Sequence, residues 1–279
     1  MEPPIGLIAG SGELPLLTAR GIRESGRGVA CVGLYDQFEN ELPDVCDHFA
    51  PAGILALGKW SRLLRRWGAR EAVMIGGVRK ATMYHPLSWL RQMPDWRAAN
   101  IWYRRLRHDR RSHMVLTAVA DELASNGVRL IDSTQYIPDH LATPGPITAA
   151  QPSARQQADI AFGWPILMRM SDLDIGQAIA VRDRDVIAVE AMEGTDAMIR
   201  RVAELCPRGG WVLLKGAGER KDMRFDVPTI GLKTIEGLKA AGGTCIALAA
   251  GRVIIAEKPK AIEAADAAGI VIVGCEMEQ

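Results

Sequence analysis

The sequence lacks the motifs that mark several common classes of enzyme and metal protein. Its five cysteines are widely spaced and include no Cys-x-x-Cys pair, which argues against a zinc ribbon and a dithiol redox site. It also contains no His-Glu-x-x-His pair and no Gly-x-Ser-x-Gly segment, so a zinc-protease site and a serine-hydrolase elbow have no support. The cysteines are therefore expected to be reduced thiols, with Cys31 and Cys245 buried in apolar runs.

Long apolar runs and an excess of one charge are also absent. No window approaches the roughly 18 apolar residues that a membrane span needs, and the N-terminal segment lacks the basic start of a secretory signal. The net charge is +1, so no overall positive field indicates a nucleic-acid partner. Hydrophobic residues make up 48% and charged residues 24%, an ordinary globular balance. These features predict a cytoplasmic protein.

The first half of the chain alternates short apolar runs with segments of helical spacing. Apolar runs begin at Gly6, Val29 and Ala72, and each is continuous, as expected of strands covered on both faces. Their alternation with helices predicts a parallel, Rossmann-like sheet. A stretch rich in Pro, Gly and Thr then marks the boundary between an N-terminal domain at 1–140 and a C-terminal domain at 141–279.

The second half mixes hairpin and crossover signals. Strands are predicted at 177–182 and 186–192, joined by a polar turn, and at 244–249 and 252–256, which flank Gly251 as a second hairpin. Helices are predicted near 154–170, after Gly194-Thr195, at 230–241 and near 258–268. We therefore expect a mixed sheet with helices, so that the protein consists of two α/β domains.

A glycine turn follows the first predicted strand and opens a helix. Gly10-Ser11-Gly12 has the arrangement of a phosphate-binding turn, in which backbone N–H groups favour an anion. The dinucleotide fingerprint needs a third glycine or alanine, and Pro15 stands there instead. Asp36 follows the second strand, where a ribose-binding acid would lie. Nucleotide contact, an NAD-dependent nucleotide-sugar enzyme and a structural turn stay open as alternatives.

Two stretches interleave arginine with tryptophan. This combination suits anionic lipid headgroups, and a solvated helix face with extended arginine stems explains it equally well. The basic residues are Lys59, Arg62, Arg65 and Arg66 in the first stretch, and Arg91, Arg97, Arg104, Arg105, Arg107, Arg110 and Arg111 in the second.

Charged side chains also gather at predicted strand ends in the second half. Glu193 and Asp196 flank a Gly-Thr turn where a helix begins, and Lys215 ends a strand. Carboxylates hold hard divalent cations and cationic side chains neutralise phosphate oxygens, so the set suits a hydrolytic phosphate site. A surface ion-pair network is the alternative.

A second charged set follows that strand. Asp222, Arg224 and Asp226 alternate, so in an extended segment their side chains would share one side. Pro228-Thr229 precedes a predicted helix, whose N-terminus would face the same place. The same two alternatives apply to this set.

Three segments are similar to those of a known family: GLIAGSGELP, DIGQAIAVRDRDVIAVEAMEGTDAMIRR and DMRFDVPTIGLKTI. They resemble the UDP-2,3-diacylglucosamine pyrophosphatase family of lipid A biosynthesis, the LpxI type. The resemblance runs across nearly the whole chain and is strongest in the second half. It implies hydrolysis of UDP-2,3-diacylglucosamine to 2,3-diacylglucosamine 1-phosphate (lipid X) and UMP, with water attacking the phosphorus nearer the sugar. It also implies a Mg²⁺ or Mn²⁺ cofactor and a lipid product held between two domains.

The family's motifs assign roles to individual residues. Asp226 matches the family's essential aspartate, and Asp222 and Arg224 match other polar motif positions. We predict a catalytic set of Asp226, Asp222, Lys215 and Arg224, in which Lys215 and Arg224 stabilise charge on the phosphate oxygens. The metal ligands implied are Asp226, Glu193 and Asp196. The substrate contacts that we predict are Gly10, Ser11, Gly12 and Thr195, which match family motif positions, together with Gln177 and Thr229.

Two positions depart from the family pattern. Arg111-Ser112-His113 stands where the family has an acidic pair, and Gly218-Glu219 where it has Lys-Pro. Either Asp109 or His113 then substitutes for the acidic pair, or the activity differs. A non-catalytic lipid- or nucleotide-binding protein is a further alternative.

The expected partners follow from the same resemblance and from the basic stretches. They are a lipid-linked UDP-sugar as substrate, with its acyl chains in a groove of first-domain helices, the inner membrane surface by peripheral contact, and a second copy of the chain in a homodimer. No nucleic-acid partner is expected.

Overall fold

The chain forms two compact α/β units. The computed structural model describes residues 2–78, 95–101, 103, 107, 112–218 and 221–276. The first unit comprises Met1–Ile137 and the short stretch Arg224–Asp226, and the second comprises Pro138–Met223 and Val227–Gln279. The fold class predicted from the sequence is confirmed, since each unit has its own sheet and helices.

The first unit is built on a five-stranded parallel sheet. Its elements in chain order are β1 (Ile5–Ala9), α1 (Leu14–Glu24), β2 (Val29–Leu34), β3 (His48–Ala52), α2 (Leu57–Arg66), β4 (Glu71–Ile75), α3 (Trp96–Ile101), α4 (Ser112–Ser125) and β5 (Arg129–Leu130). The strand order is β3-β2-β1-β4-β5, and every pairing is parallel. Strands β1 and β2 are buried along their whole length, which explains their continuous apolar runs.

Two features of this unit differ from the sequence prediction or lie beyond it. The edge strand β3 was not predicted, because His48 and Pro51 interrupt its apolar pattern; proline is tolerated at a sheet edge. Between residues 95 and 126, the structure describes the helices α3 and α4. The positions of Arg91, Arg104, Arg105, Arg110 and Arg111, which belong to the second basic stretch, lie outside the described residues.

The second unit is built on a six-stranded mixed sheet. Its elements are β6 (Gly145–Pro146), α5 (Ala154–Asp172), β7 (Ala178–Arg182), β8 (Asp185–Val189), α6 (Thr195–Leu205), β9 (Trp211–Lys215), β10 (Thr229–Ile230), α7 (Leu232–Ala240), β11 (Gly243–Ala249), β12 (Ile254–Ile255), α8 (Lys258–Ala268) and β13 (Val271–Cys275). The strand order is β6-β13-β11-β9-β7-β8. Strands β9, β11 and β13 are parallel, whereas β6 and β7 run antiparallel to their neighbours.

The predicted hairpin around Gly251 is wrong. Strand β11 pairs with β9 and β13, and β12 instead pairs in parallel with β10 in a separate two-stranded sheet. Strand β11 lies in the centre of the sheet and is paired on both sides, with β9 and β13. It therefore has no free edge for β12. Gly251 still forms a turn, with φ of +70°.

Side chains of the central strands alternate between two cores. Val212 and Leu214 of β9 pack with Leu167 of α5 on one face of the sheet. Trp211 and Leu213 pack on the other face, with apolar residues of α6, α7 and α8. This alternation decides on which face a polar residue at a strand end will lie. None of the helices in the described part of the chain is long and apolar enough to cross a membrane.

Candidate functional site

The second unit holds a buried polar cluster where β8 and β9 end. Strand β7 is antiparallel to both, so β8 and β9 run in one direction and end at the same edge of the sheet. Glu190 follows β8, and Lys215 is the last residue of β9. Alternation places Glu190 on the face of Ala188 and Lys215 on that of Leu213, the face covered by α6. Thr195 is the first residue of α6.

Direct contacts link Glu190, Thr195 and Lys215, which we call the Glu190 cluster. The Thr195 hydroxyl donates a hydrogen bond of 2.8 Å to Oε1 of Glu190, and the Lys215 ammonium donates one of 2.5 Å to the Thr195 hydroxyl oxygen. Oε2 of Glu190 lies 3.9 Å from Lys215 Nζ. Lys215 is only 4% exposed and Glu190 9%. Burying two charges costs several kcal/mol each unless they are paired, so the cluster keeps an ammonium group in place at a strand end.

Two of the three cluster residues were predicted from the sequence. Lys215 and Thr195 were assigned to catalysis and substrate contact, and the structure brings them together. Glu190 was assigned no role, although it lies only a few residues before Glu193, which was. The signal that could have found it is the strand alternation, which places Glu190 on the buried face with Ala188.

Glu193 and Asp196 have other surroundings. Glu193 forms an ion pair of 2.9 Å with Arg201 and accepts a hydrogen bond of 3.1 Å from the Ala191 N–H. Its own backbone N–H, the Ala191 N–H and the charge of Arg201 hold the pKa of Glu193 below its ordinary value. Asp196 is exposed in the first turn of α6, where the helix dipole favours a negative charge.

The carboxylates described in the second unit do not form a cluster that would hold a resident metal ion. Among the residues that the structure describes, no three His, Cys, Asp or Glu side chains gather in one place. Magnesium often takes only one or two carboxylates and completes its shell with water and substrate phosphate. Glu193 is engaged by Arg201 and Oε2 of Glu190 is buried, which leaves Asp196 as an exposed carboxylate at the start of α6.

The segment from Asp222 to Asp226 is not extended, so the prediction that its alternate side chains share one side is wrong. The chain turns through Met223 and Arg224, and Asp226 has φ of +58°, in the left-handed region. Phe225 is 3% exposed and belongs to the core of the first unit. Burial of this phenylalanine requires a turn of the backbone, which ends the alternation.

Gln177 and Thr229, both predicted to contact substrate, lie next to strands. Gln177 precedes β7, and its backbone carbonyl accepts a hydrogen bond of 3.0 Å from the Gly216 N–H, so it stands at the sheet edge that carries Lys215. Thr229 lies in β10, and α7 begins only at Leu232. The sequence prediction therefore placed the start of this helix too early.

The glycine turn after β1 is closed by protein contacts. Ser11 and Gly77 exchange backbone hydrogen bonds of 2.7 and 2.8 Å, and the Ser11 hydroxyl donates one of 2.9 Å to the Gly77 carbonyl. A Cβ atom on Gly10 would lie 2.5 Å from that carbonyl oxygen, so the close approach requires glycine. The Gly12 N–H is directed at the Glu39 carboxylate, 3.3 Å away. An anion bound at this turn would have to replace Glu39.

Other predicted positions are exposed or lie outside the described residues. Asp36, the candidate ribose-binding acid, is exposed in the turn after β2 with φ of +59°. Asp109, Arg111 and Glu219 lie outside the described residues, as do the side chains of Ser112 and His113. Cys31 and Cys245 are fully buried, as predicted.

A cavity of about 880 Å³ also lies in the second unit. Its walls are mainly apolar and include Ile160, Trp164, Met168 and Val273, with Asp172 among the polar residues. The volume is within the range of small-molecule sites. Among the described residues, the lining includes no member of the Glu190 cluster and none of the predicted site residues.

Comparison with known proteins covers both units. The sequence model of the LpxI N-terminal domain matches residues 4–140, and that of the LpxI C-terminal domain matches residues 143–273. A relative from Caulobacter vibrioides (strain ATCC 19089 / CIP 103742 / CB 15), the UDP-2,3-diacylglucosamine pyrophosphatase LpxI, is 30% identical over 285 aligned residues, which cover 99% of this chain and 98% of the relative. The chain therefore belongs to the LpxI family.

Proposed function

We propose that the protein hydrolyses the pyrophosphate bond of UDP-2,3-diacylglucosamine and releases 2,3-diacylglucosamine 1-phosphate (lipid X) and UMP. The relative from Caulobacter vibrioides bears the name of this activity and aligns over almost the full length of both chains. On the same resemblance, we place this reaction in the cytoplasm as a step of lipid A biosynthesis. Water attacks the phosphorus nearer the sugar.

The Glu190 cluster is the structural observation that carries the proposal. Lys215 is a buried ammonium held by a threonine hydroxyl and a carboxylate, at the edge where parallel strands end. A fixed cation of this kind stabilises the charge that develops on phosphate oxygens as a phosphoanhydride bond breaks. Glu190 pairs with the Lys215 ammonium, and Thr195 fixes the direction of its side chain. Lys215 is the catalytic residue of this set, and Glu190 and Thr195 position it.

The proposal includes Mg²⁺ or Mn²⁺ and the aspartate of the RFDVPTIG segment. Of the predicted metal ligands in the second unit, Asp196 is exposed and suited to a cation carried with the diphosphate, whereas Glu193 is paired with Arg201. A bound cation of this kind neutralises phosphate oxygens and lowers the pKa of a water molecule. Asp226 keeps the essential role implied by the family motif, with Asp222 and Arg224 as neighbours in the same segment.

The experiment is a product analysis with purified protein. UDP-2,3-diacylglucosamine is incubated with Mg²⁺, with Mn²⁺ or with EDTA, and UMP and lipid X are quantified by mass spectrometry. We expect equal amounts of the two products with a metal and none with EDTA. The Lys215→Met variant should be inactive, whereas Lys239→Met, which removes an exposed lysine of α7, should be fully active. Release of UDP, or no reaction with either metal, would contradict the proposal.

A further inference from the structure

One face of helix α2 lines a groove rich in arginine in the first unit. The groove has a volume of about 500 Å³ and is lined by Gly58, Ser61, Arg62, Arg65 and Arg66 of α2, Arg97 of α3 and Asn126. The five residues of α2 follow helical spacing, so they share one face. We call this feature the arginine groove. No residue with a proposed role in hydrolysis lines it among the residues that the structure describes.

Three of the four groove arginines carry charge that the described part of the chain does not neutralise. Arg97 forms an ion pair of 2.5 Å with Glu122. Within the described residues, no hydrogen bond or ion pair engages the guanidinium groups of Arg62, Arg65 and Arg66. These three side chains are exposed, so they are available to an anion from solution or from a surface.

Asp95, an acid that contacts the groove residue Gly58, binds backbone N–H groups. Asp95 accepts hydrogen bonds of 2.5 Å from the Gly58 N–H and 2.9 Å from the Ala98 N–H. Its two oxygens therefore satisfy backbone donors near the starts of α2 and α3. The groove keeps a net positive charge even when Asp95 and Glu122 are counted.

Helix α2 is held firmly by its opposite face. Leu57, Trp60 and Leu64 are at most 4% exposed and belong to the core of the first unit. Arg65 and Arg66 lie in the last turn, where the helix dipole favours a cation. That explanation does not extend to Arg62, which lies in the middle of the helix. The arginine face is therefore a fixed surface rather than a by-product of helix capping.

An exposed tryptophan accompanies the groove. Trp96 directly precedes the groove residue Arg97 on α3 and is 84% exposed. Burial would stabilise a tryptophan, and tryptophan is highly buried on average, so exposure of this extent is uncommon. Tryptophan and tyrosine prefer the level of lipid headgroups, and arginine binds phosphate there. The combination distinguishes a bilayer surface from a soluble anion, since a free phosphate gains nothing from an exposed indole.

We propose that the arginine groove and Trp96 form a docking surface for the phosphodiester headgroups of anionic phospholipids at a bilayer. Arg62, Arg65 and Arg66 bind the phosphates, and Trp96 inserts at headgroup level. The inference does not depend on the proposed hydrolysis, because it rests on a different unit and is tested by binding alone.

The test is co-sedimentation with vesicles. The full-length protein is mixed with vesicles of phosphatidylcholine alone or of phosphatidylcholine with phosphatidylglycerol. We expect binding only to the anionic vesicles and weaker binding at high salt. The triple variant Arg62→Gln, Arg65→Gln, Arg66→Gln should bind about 100-fold more weakly, since each basic side chain near an anionic surface contributes roughly fivefold. The corresponding triple lysine variant should keep most of the binding.

A matched control removes the same charge elsewhere. Arg200→Gln, Arg208→Gln and Lys239→Gln alter three exposed residues of the second unit and should leave vesicle binding nearly unchanged. Trp96→Ala should weaken binding to the anionic vesicles with all arginines in place. Circular dichroism and thermal unfolding check that every variant is folded.

Three results would overturn the proposal. The first is equal loss of vesicle binding in the groove variant and the control variant. The second is no binding of the wild-type protein to anionic vesicles. The third combines two observations with inorganic phosphate. Calorimetry would show phosphate binding that requires the groove arginines, and phosphate would displace the protein from vesicles at concentrations too low to screen charge. This result would make the groove a site for a soluble anion.

Discussion

The Lys215 ammonium donates a hydrogen bond of 2.5 Å to the Thr195 hydroxyl, and that hydroxyl donates its own hydrogen to Glu190. A hydroxyl has one hydrogen to donate, so accepting from lysine directs its proton to the carboxylate. Thr195 thereby joins two buried charged groups, and Lys215 Nζ lies 3.9 Å from Oε2 of Glu190. The threonine is the first residue of α6, so the start of that helix sets the position of Lys215.

Removing the hydroxyl while keeping the shape of the side chain tests this bridge. Thr195→Val should lower the free energy of unfolding by about 1–3 kcal/mol, because buried polar groups lose their partner. It should also slow UMP release by more than about tenfold, since the Lys215 ammonium loses the hydrogen bond that orients it. Urea unfolding and product assays give the two values. The control is Thr234→Val, at a buried threonine of α7 outside the cluster, and similar activity losses in both variants would refute the role of the bridge.

A double-mutant cycle tests whether Glu190 and Lys215 act as a buried pair. Glu190→Gln and Lys215→Met should each destabilise the protein by about 3–5 kcal/mol, because each leaves one buried charge without its partner. The double variant should regain most of this loss, since it buries no uncompensated charge. Denaturant unfolding of the four proteins gives the coupling free energy. Simple addition of the two losses would show that the residues do not interact.

The buried thiol of Cys245 should make stability depend on alkaline pH. Burial raises the pKa of Cys245 from 9.0 to about 12, with a smaller contribution from Cys275, whose own pKa is raised to about 11. A thiol with a higher pKa in the folded state stabilises the protein below pH 9 and loses that contribution as the pH rises toward 12, because the unfolded chain releases its proton first.

Comparison with Cys245→Ala isolates this effect. The free energy of unfolding of the wild type should fall relative to that of the variant by about 1 kcal/mol per pH unit above pH 9. Urea titrations at several pH values between 8 and 11, roughly the range in which the thiols of the unfolded chain ionise, provide the measurement. A difference that stays constant over this range would mean that the thiol is solvated in the folded state.

Much of the fold could be predicted from the sequence because buried parallel strands leave a clear pattern. Strands β1, β2 and β9 are continuous apolar runs, and each was found. Pairing was harder to predict, because it depends on which edges are free. Strand β12 joins β10 rather than β11, since β11 already has a neighbour on each side.

The candidate site was predictable only where local pattern decides the position. Lys215 ends an apolar strand and Thr195 starts a helix, and both signals are local. The geometry around Asp226 was not predictable, because Phe225 is buried in a core made of residues far away in sequence. That burial, rather than the alternation of charges, sets the local backbone.

The most direct test of the proposed hydrolysis uses Asp226→Asn. Asp226 has φ of +58°, a conformation that asparagine tolerates and alanine does not, so asparagine removes the charge without adding backbone strain. Asp183→Asn is the matched control, because Asp183 has φ of +54° and lies in the turn between β7 and β8.

The measurement is the release of UMP from UDP-2,3-diacylglucosamine by the wild-type protein and by these two variants, with thermal unfolding followed in parallel. The wild type and Asp183→Asn should release UMP and lipid X in equal amounts, and Asp226→Asn should release neither while unfolding at an unchanged temperature. Undiminished UMP release by a folded Asp226→Asn variant would contradict the proposed role of this aspartate, and absence of UMP from the wild type would contradict the hydrolysis itself.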